Sequence, residues 1–368
     1  MTEIGRPAAA LAWIAFVLGP QTVSAQRTVE ISDRPSCRRC EITRTPLPAL
    51  GEESGEGIVE SEFSRAVQDS RGRVYLAGAY ATRILVFDRD GRFLRVLGRP
   101  GHGPGEFAGI GSFHVGPGDS LFVFDNQQSR LSVFSPEGEF VRSLSVPISP
   151  AVTNFVAPDG RFIIGRSFGM PELGPHPLHL FDREGRRLRS LGNFSGEARP
   201  DVPGFLSRSL APASGTRIWS GHSVAYVLDR IDLDSGMRDL VIRRQARWFP
   251  PRMEPLRDRG TIRPDPGIRD IQEDEEGRLW VLLAIPDPEW RTVYRPAGPG
   301  DTHGSVTDLQ RFYNTRIEVL DPVRGTLIAA LEVPELVEGF SGPREMGAVL
   351  DADGVPRYHR WRLELSQP

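Results

Sequence analysis

Lysine is absent from this sequence, so all 45 basic side chains are arginines. Its absence excludes a phosphate-binding loop of the G-x-x-x-x-G-K-[ST] type, in which the lysine contacts the phosphates. We therefore interpret the glycine-rich segment 98–105 as a series of turns. The arginines face 48 acidic residues, and the net charge of −3 predicts no basic surface for nucleic acid.

Cysteine is nearly absent too, because Cys37 and Cys40 are the two cysteines of the chain. Their C-x-x-C spacing fits a local disulfide, a redox pair or half of a metal site. A structural zinc site would need further ligands of this kind, and a redox C-x-x-C normally opens a helix that this sequence does not suggest. We favour a structural disulfide that clamps a turn between two N-terminal strands and contributes about 2 kcal/mol.

Long apolar runs are missing apart from residues 8–18, and 11 residues are too few to cross a bilayer. Arg6 precedes this run, and the small-x-small pattern that ends at Ala25 is typical of a signal peptidase site. We predict a signal peptide over 1–25. Residues 26–368 should then form a single domain without a membrane span, in the periplasm or outside the cell.

A repeat is present instead. The segments TRILVFDRDGRFLRVLG, SRLSVFSPEGEFVRSLS and HLFDREGRRLRSLG align when each is shifted by 47 residues. Each copy holds short β-prone runs and turns that end in glycine, and repeats of this length indicate a solenoid or a propeller. The aligned positions are Phe87, Phe134 and Phe181; Gly91, Gly138 and Gly185; Arg95, Arg142 and Arg189; Leu97, Leu144 and Leu191.

Counting the turn between the first and second strand of each copy predicts an all-β fold, a six-bladed β-propeller of four-stranded blades. The six turns are at 70–72, 117–119, 158–160, 213–215, 275–277 and 352–354. Few residues follow the sixth turn. We therefore expect N-terminal strands near 28–31 and 41–50 to complete the last blade and close the ring.

The segment FSRAVQDSRGRVYLAGAYATRILVFDRDGRFLRVLGRPGHGPGEF, which begins at Phe63, resembles the NHL repeat. The second copy keeps the Asp of that pattern at Asp125 and the Arg at Arg130. Copies one to three follow the pattern well, whereas copies four to six share its turns and apolar spacing. The resemblance implies a bacterial exported six-bladed propeller, and it implies little about function because propellers serve many.

The long loops are expected on one face of such a propeller. Turns between strands one and two and between strands three and four share a face and are short. The loops predicted at 168–176 and 286–312, and the connections at 193–208 and 247–269, share the other face. Loops of this length in a compact domain are often functional.

Aromatic and arginine side chains in these loops are candidate binding residues, because such residues dominate recognition surfaces. The alternatives are an ordinary solvated loop and rings that pack the insertion onto the propeller. The candidates are Arg247, Trp248, Arg252, Trp290, Arg291 and Tyr294. They predict a non-catalytic exported protein, without a cofactor, that binds a protein, peptide or glycan partner.

The alternative is a hydrolase or lyase that uses a divalent metal ion held at the central channel. Some propellers of related fold are metal-dependent lyases or lactonases with ligands from separate blades. His114, expected in an innermost strand, is the best single ligand candidate. We favour a histidine packed in the core as the explanation of the same residue.

Overall fold

The computed structural model describes residues 26–59, 64–147, 153–165, 176–192, 208–222, 225–251, 264–296, 304–352 and 354–366. In these residues the regular structure is β-sheet, with two short 3₁₀ turns at Pro117–Asp119 and Trp290–Thr292. None of the described helices is long and apolar enough to cross a membrane. The proposed signal peptide, 1–25, lies outside the described residues.

The strands assemble into six blades in the described parts of the chain. Strands β1 (Arg27–Ser32) and β2 (Glu41–Leu50) precede the first blade. Blade one contains β3 (Ser64–Gln68), β4 (Val74–Gly78), β5 (Ile84–Phe87) and β6 (Phe93–Leu97). A small parallel pair, β7 (Arg99–Pro100) and β8 (Glu106–Phe107), leads to blade two: β9 (Ile110–Val115), β10 (Leu121–Asp125), β11 (Arg130–Phe134) and β12 (Phe140–Ser145).

The next blades repeat this order from the centre outward. Blade three contains β13 (Asn154–Val156), β14 (Phe162–Gly165), β15 (Leu178–Phe181) and β16 (Arg187–Leu191). Blade four contains β17 (Arg208–Pro212), β18 (Arg217–His222), β19 (Val227–Asp232) and β20 (Arg238–Gln245).

Blade five carries an insertion. It contains β21 (Gly267–Glu273) and β22 (Leu279–Pro286), then the inserted hairpin β23 (Tyr294–Arg295) and β24 (Ser305–Val306), then β25 (Tyr313–Asp321) and β26 (Thr326–Val333). Blade six contains β27 (Gly339–Gly342), β28 (Glu345–Ala352) and β29 (Val355–Ser366). The innermost strands β3, β9, β13, β17, β21 and β27 surround the central channel.

The ring closes through β2, as predicted. This strand pairs antiparallel with β29, from Glu41 opposite Ser366 to Leu50 opposite Tyr358, and becomes the outer strand of blade six. Ile42 and Leu50 are buried at this junction. Closure therefore joins the two ends of the described chain in one sheet.

The prediction for the other N-terminal strand was wrong. Strand β1 pairs in parallel with β20 and adds a fifth strand to blade four. The turn at 352–354 joins strands two and three of blade six, and the turn between strands one and two lies at Gly342–Glu345. The C-terminal segment supplies three of the four strands of blade six, and β2 supplies the fourth. Strand β1 is therefore not needed there, and it buries Val29 and Ile31 between blades four and five.

The predicted disulfide is present. Cys37 and Cys40 are joined in the turn between β1 and β2. Both half-buried cysteines pack against the apolar cluster of blades five and six, and the Ser36 amide donates to the Leu327 carbonyl at 2.7 Å. The N-terminal segment therefore runs along the outside of the ring from blade four, across blade five, to blade six.

The strands are apolar because both faces of an inner blade strand meet neighbouring blades. Strand β10 (LFVFD) is buried at every position. The short turns are built by aspartate and glycine: at Asp69, the Oδ1 atom accepts the amides of Arg71 and Arg73, and Gly72 takes a positive φ of 82°. Such turns define one flat face of the ring, which we call the tight-turn face; the opposite face is the long-loop face.

Candidate functional site

The channel opens on the long-loop face where the inner strands begin. Arg65 near the start of β3, Asp270 in β21 and Glu338 just before β27 bring charged side chains to this opening from blades one, five and six. The other side chains that line this part of the channel are mainly apolar. The opening of the channel is thus charged, whereas the channel wall is formed largely of apolar side chains.

Two ion pairs link these blades. An Nη atom of Arg65 donates to Oδ2 of Asp270 at 3.1 Å, and Arg269 donates to Glu338 at 2.5 Å. The backbone amide of Phe340 also donates to Oδ2 of Asp270, at 2.9 Å. The side chain of Arg65 remains 55% exposed, against 12% for that of Asp270. The guanidinium therefore keeps N–H groups that are open to the channel.

Burial governs the protonation of the acidic residues. It raises the pKa of Asp270, and the opposing effects of Arg65 and of two backbone amides are smaller. It also raises the pKa of Glu338, despite the adjacent Arg269. Each carboxyl group consequently holds its proton to a higher pH than an exposed one does.

His114 lies deeper in the channel wall, in β9. Its ring lies edge-on to Phe124 and Phe155 at 6.0 Å and 5.9 Å between ring centroids. Burial, and then the charge of Arg65, lowers the pKa of His114 to about 3, although a hydrogen bond to the Asn154 backbone acts in the opposite direction. The imidazole is therefore neutral near pH 7, and its buried Nε2 has no hydrogen-bond partner among the described residues.

Among the described residues, two cavities lie along the channel. The cavity toward the long-loop face measures about 350 Å³ and is lined by Arg65, Asp270 and Glu338 among others. The cavity toward the tight-turn face measures about 430 Å³. His114 and Gln272 line both, so these two side chains lie where the cavities meet.

At the rim of the long-loop face, Trp248 is held in a fixed orientation. Its indole N–H donates to Asp33 at 3.2 Å, and the guanidinium of Arg316 lies 4.8 Å from the ring centroid. Tyr226 and Phe249 flank the ring. Trp248 stays partly exposed and its neighbour Arg247 is exposed. Arg252, the third candidate in this loop, lies outside the described residues.

The candidates in the blade-five insertion divide into buried and exposed side chains. Trp290 and Tyr294 are 3% and 9% exposed, and they form a separate small core with Val293 and Phe312. Their rings therefore pack the insertion together and do not face solvent. Arg291 is exposed and covers Trp290, with its guanidinium 4.6 Å from the ring centroid. A binding role for these residues stays a prediction, carried by Arg291.

The described residues contain no group of three or more His, Cys, Asp or Glu side chains arranged to hold a metal ion. His114 has aromatic neighbours and an arginine nearby, and no acidic residue of the described segments is its hydrogen-bond partner. The geometry around His114 fits the packed histidine of the core.

The sequence interpretation missed Arg65, Asp270 and Glu338. A signal was present, because β3 and β21 share the pattern R-x-[VI]-Q-[DE], from Arg65 to Asp69 and from Arg269 to Glu273. A shared arginine and glutamine in two innermost strands indicates polar groups at equivalent heights in the channel. The two strands lie far apart in the chain, so the sequence alone does not show that blades one and five lie on either side of blade six.

These features define a six-bladed β-propeller with a charged channel opening on its long-loop face. A model of the family DUF5128, described as a 6-bladed beta-propeller, matches residues 61–163. No curated protein matches the sequence.

Two solved structures share the fold. A protein of Bacteroides fragilis, described as exported, is 11% identical with a TM-score of 0.58, and the match covers 93% of this chain and 100% of that one. A DUF4221 member of Bacteroides vulgatus is 13% identical with a TM-score of 0.57 and coverages of 89% and 99%. These likenesses concern the fold alone.

Proposed function

We propose that this chain is an exported, non-catalytic binding propeller that recognises a protein, peptide or glycan partner with its long-loop face. The observation that carries the proposal is the rim around Trp248. Its partly exposed indole is oriented by Asp33 and Arg316 before any partner arrives, and the exposed Arg247 lies beside it. A tryptophan that is already oriented loses little conformational freedom on binding, and tryptophan and arginine side chains dominate binding energy at interfaces.

The location of the loops supports the same proposal. The described insertion of blade five, with exposed Arg291, and the segment after β20, with Arg247 and Trp248, emerge on the same side of the ring. The opposite face consists of short turns in which several arginines pair with nearby acids, such as Arg73 with Asp69. A rigid propeller that presents one loop-bearing face is suited to recognition. Export rests on the N-terminal sequence pattern, and the disulfide at Cys37 and Cys40 suits an oxidising compartment.

The test removes the rim pair. Arg247→Glu with Trp248→Ala should weaken the strongest interaction found on protein, peptide and glycan arrays by about 30-fold or more, as expected for loss of a hot spot of about 2 kcal/mol. Dissociation constants are measured by biolayer interferometry on protein whose fold is checked by circular dichroism.

The matched control changes the same residue classes on the tight-turn face. Arg92→Glu with Val323→Ala alters an exposed arginine and a valine that is 72% exposed, and it should leave the dissociation constant unchanged. Equal losses in the two variants, or full binding by the rim variant, would refute the proposal.

A further inference from the structure

The cavity beneath the channel opening has the chemistry of a small-molecule site. Its volume of about 350 Å³ falls in the lower part of the range for ligand pockets, about 300–1,000 Å³. Its walls include Phe113, Phe155, Leu210 and Phe340. Such sites combine apolar walls with a few polar groups that orient the ligand.

Arg65 is the group that distinguishes this cavity. One Nη atom contacts Asp270 at 3.1 Å, and the side chain is 55% exposed. A guanidinium has five N–H donors in a planar fork that matches a carboxylate. Arg269, by contrast, already contacts Glu338 at 2.5 Å and is 32% exposed. In the cavity, Arg65 is therefore the arginine with donors to offer a ligand.

The surrounding charges restrict the anion that fits. Asp270 and Glu338 lie close to the two arginines, so the four groups sum to zero when all are ionised. A dianion such as a phosphate monoester would be repelled by two carboxylates, and a single available guanidinium would not offset that repulsion. A ligand with one carboxylate needs no more than the N–H groups of Arg65 that are not used by Asp270. The apolar walls favour an apolar body on that carboxylate.

We propose that the central channel binds a small apolar monocarboxylate, with its carboxylate on Arg65 and its apolar body against Phe155, Leu210 and Phe340. This site goes beyond the partner surface proposed above, and it uses none of the rim residues. A ligand seated there fills the channel opening from within, while the rim stays free for a macromolecular partner.

The test compares three probes of equal length by isothermal titration calorimetry: hexanoate, hexanamide and hexylammonium. Hexanoate should bind with one-to-one stoichiometry, and hexanamide at least about tenfold more weakly, because a charge-assisted hydrogen bond is roughly twice as strong as a neutral one. Arg65→Gln should weaken hexanoate about tenfold or more and leave hexanamide nearly unchanged, and Arg65→Lys should retain part of the hexanoate affinity.

Controls separate this site from the rim. Arg247→Gln, at an exposed position outside the cavity, should leave hexanoate binding unchanged, and Arg65→Gln should leave partner capture unchanged. The inference fails if hexanoate gives no saturable heat up to about 10 mM, a range that detects even weak complexes. It also fails if Arg65→Gln binds hexanoate as the wild type does, or if hexylammonium binds more tightly than hexanoate.

Discussion

Replacing Glu318 with alanine is expected to lower the free energy of unfolding by about 3–5 kcal/mol, the cost of breaking a buried ion pair by removing one partner. Glu318 is fully buried in β25 and accepts from Arg244 at 2.9 Å and 3.0 Å, from Arg316 at 2.9 Å and from the Tyr226 hydroxyl at 3.0 Å. Arg244 is fully buried too, so the variant leaves its charge without its main counterion.

The network around Glu318 also joins three parts of the ring. Arg244 belongs to blade four and Glu318 to blade five, and Arg244 further contacts Asp33 of the N-terminal segment at 3.0 Å. Arg316 continues from Glu318 to the ring of Trp248. We therefore expect Glu318→Ala to loosen the rim of the long-loop face as well as to destabilise the fold.

Glu332→Ala is the matched control, because Glu332 binds the same Arg316 at 2.7 Å but is 57% exposed. An exposed pair is worth about 0–1 kcal/mol. Urea denaturation followed by circular dichroism measures both variants. Losses that agree within about 1 kcal/mol would show that the buried network does not hold blades four and five together.

The second large effect is a loss of stability in acid that originates at His114. The folded-state pKa of His114 is lowered to about 3 from 6.5. Below pH 6.5 this histidine therefore binds a proton in the unfolded chain but not in the folded chain. The contribution of this residue is full above the unfolded pKa and falls by about 1.4 kcal/mol per pH unit as the pH decreases toward the folded value.

The effect is isolated by the variant His114→Phe, which does not titrate and whose ring can contact Phe124 and Phe155 in the same place. Between pH 6.5 and 4.5 the wild type should lose about 2–3 kcal/mol more than this variant does. Asp229 and Asp274, whose pKa values are lowered, lose their contributions at still lower pH. Urea denaturation series across this pH range give the two slopes.

Val141→Phe provides the control, since it adds a ring at a position that is 58% exposed and changes no titratable group, so its slope should match that of the wild type. Parallel pH profiles for wild type and His114→Phe would contradict the account of His114 as a neutral side chain whose Nε2 atom is buried. The comparison does not depend on the packing cost of the new ring, because that cost is the same at every pH.

The fold was accessible from the sequence because its turns carry local signals. The Asp-x-x-Gly pattern around Gly72 and Gly91 needs a positive φ, here 82° and 84°, that glycine adopts readily. The number of repeated turns therefore indicates the number of blades. The same counting misplaced the turn at 352–354, because a glycine turn marks a hairpin without showing which strands of the blade it joins.

The site was harder to predict, since its residues meet through ring closure. Arg65 and Asp270 lie 205 positions apart in the chain, and their contact at 3.1 Å exists because blade one follows blade six around the ring. Likewise, the sequence leaves open whether Trp290 binds a partner or packs the insertion, and in the structure the insertion buries it with Phe312. The sequence shows which aromatic residues lie in such an insertion, but not whether their side chains face solvent or each other.

Ring closure is thus the condition on which the channel site depends, and a cross-link tests it most directly. Thr43 lies opposite Glu364 in the pairing of β2 with β29, and directly paired residues have Cα atoms about 4.5–5.5 Å apart, within reach of a disulfide. With Cys37 and Cys40 both replaced by serine, Thr43→Cys and Glu364→Cys should form a disulfide rapidly and in high yield under mild oxidation. Arg44→Cys with Glu364→Cys, which turns one side chain to the other face of the sheet, should not. Absence of the first bond, or equal yields of both, would contradict a ring closed by β2.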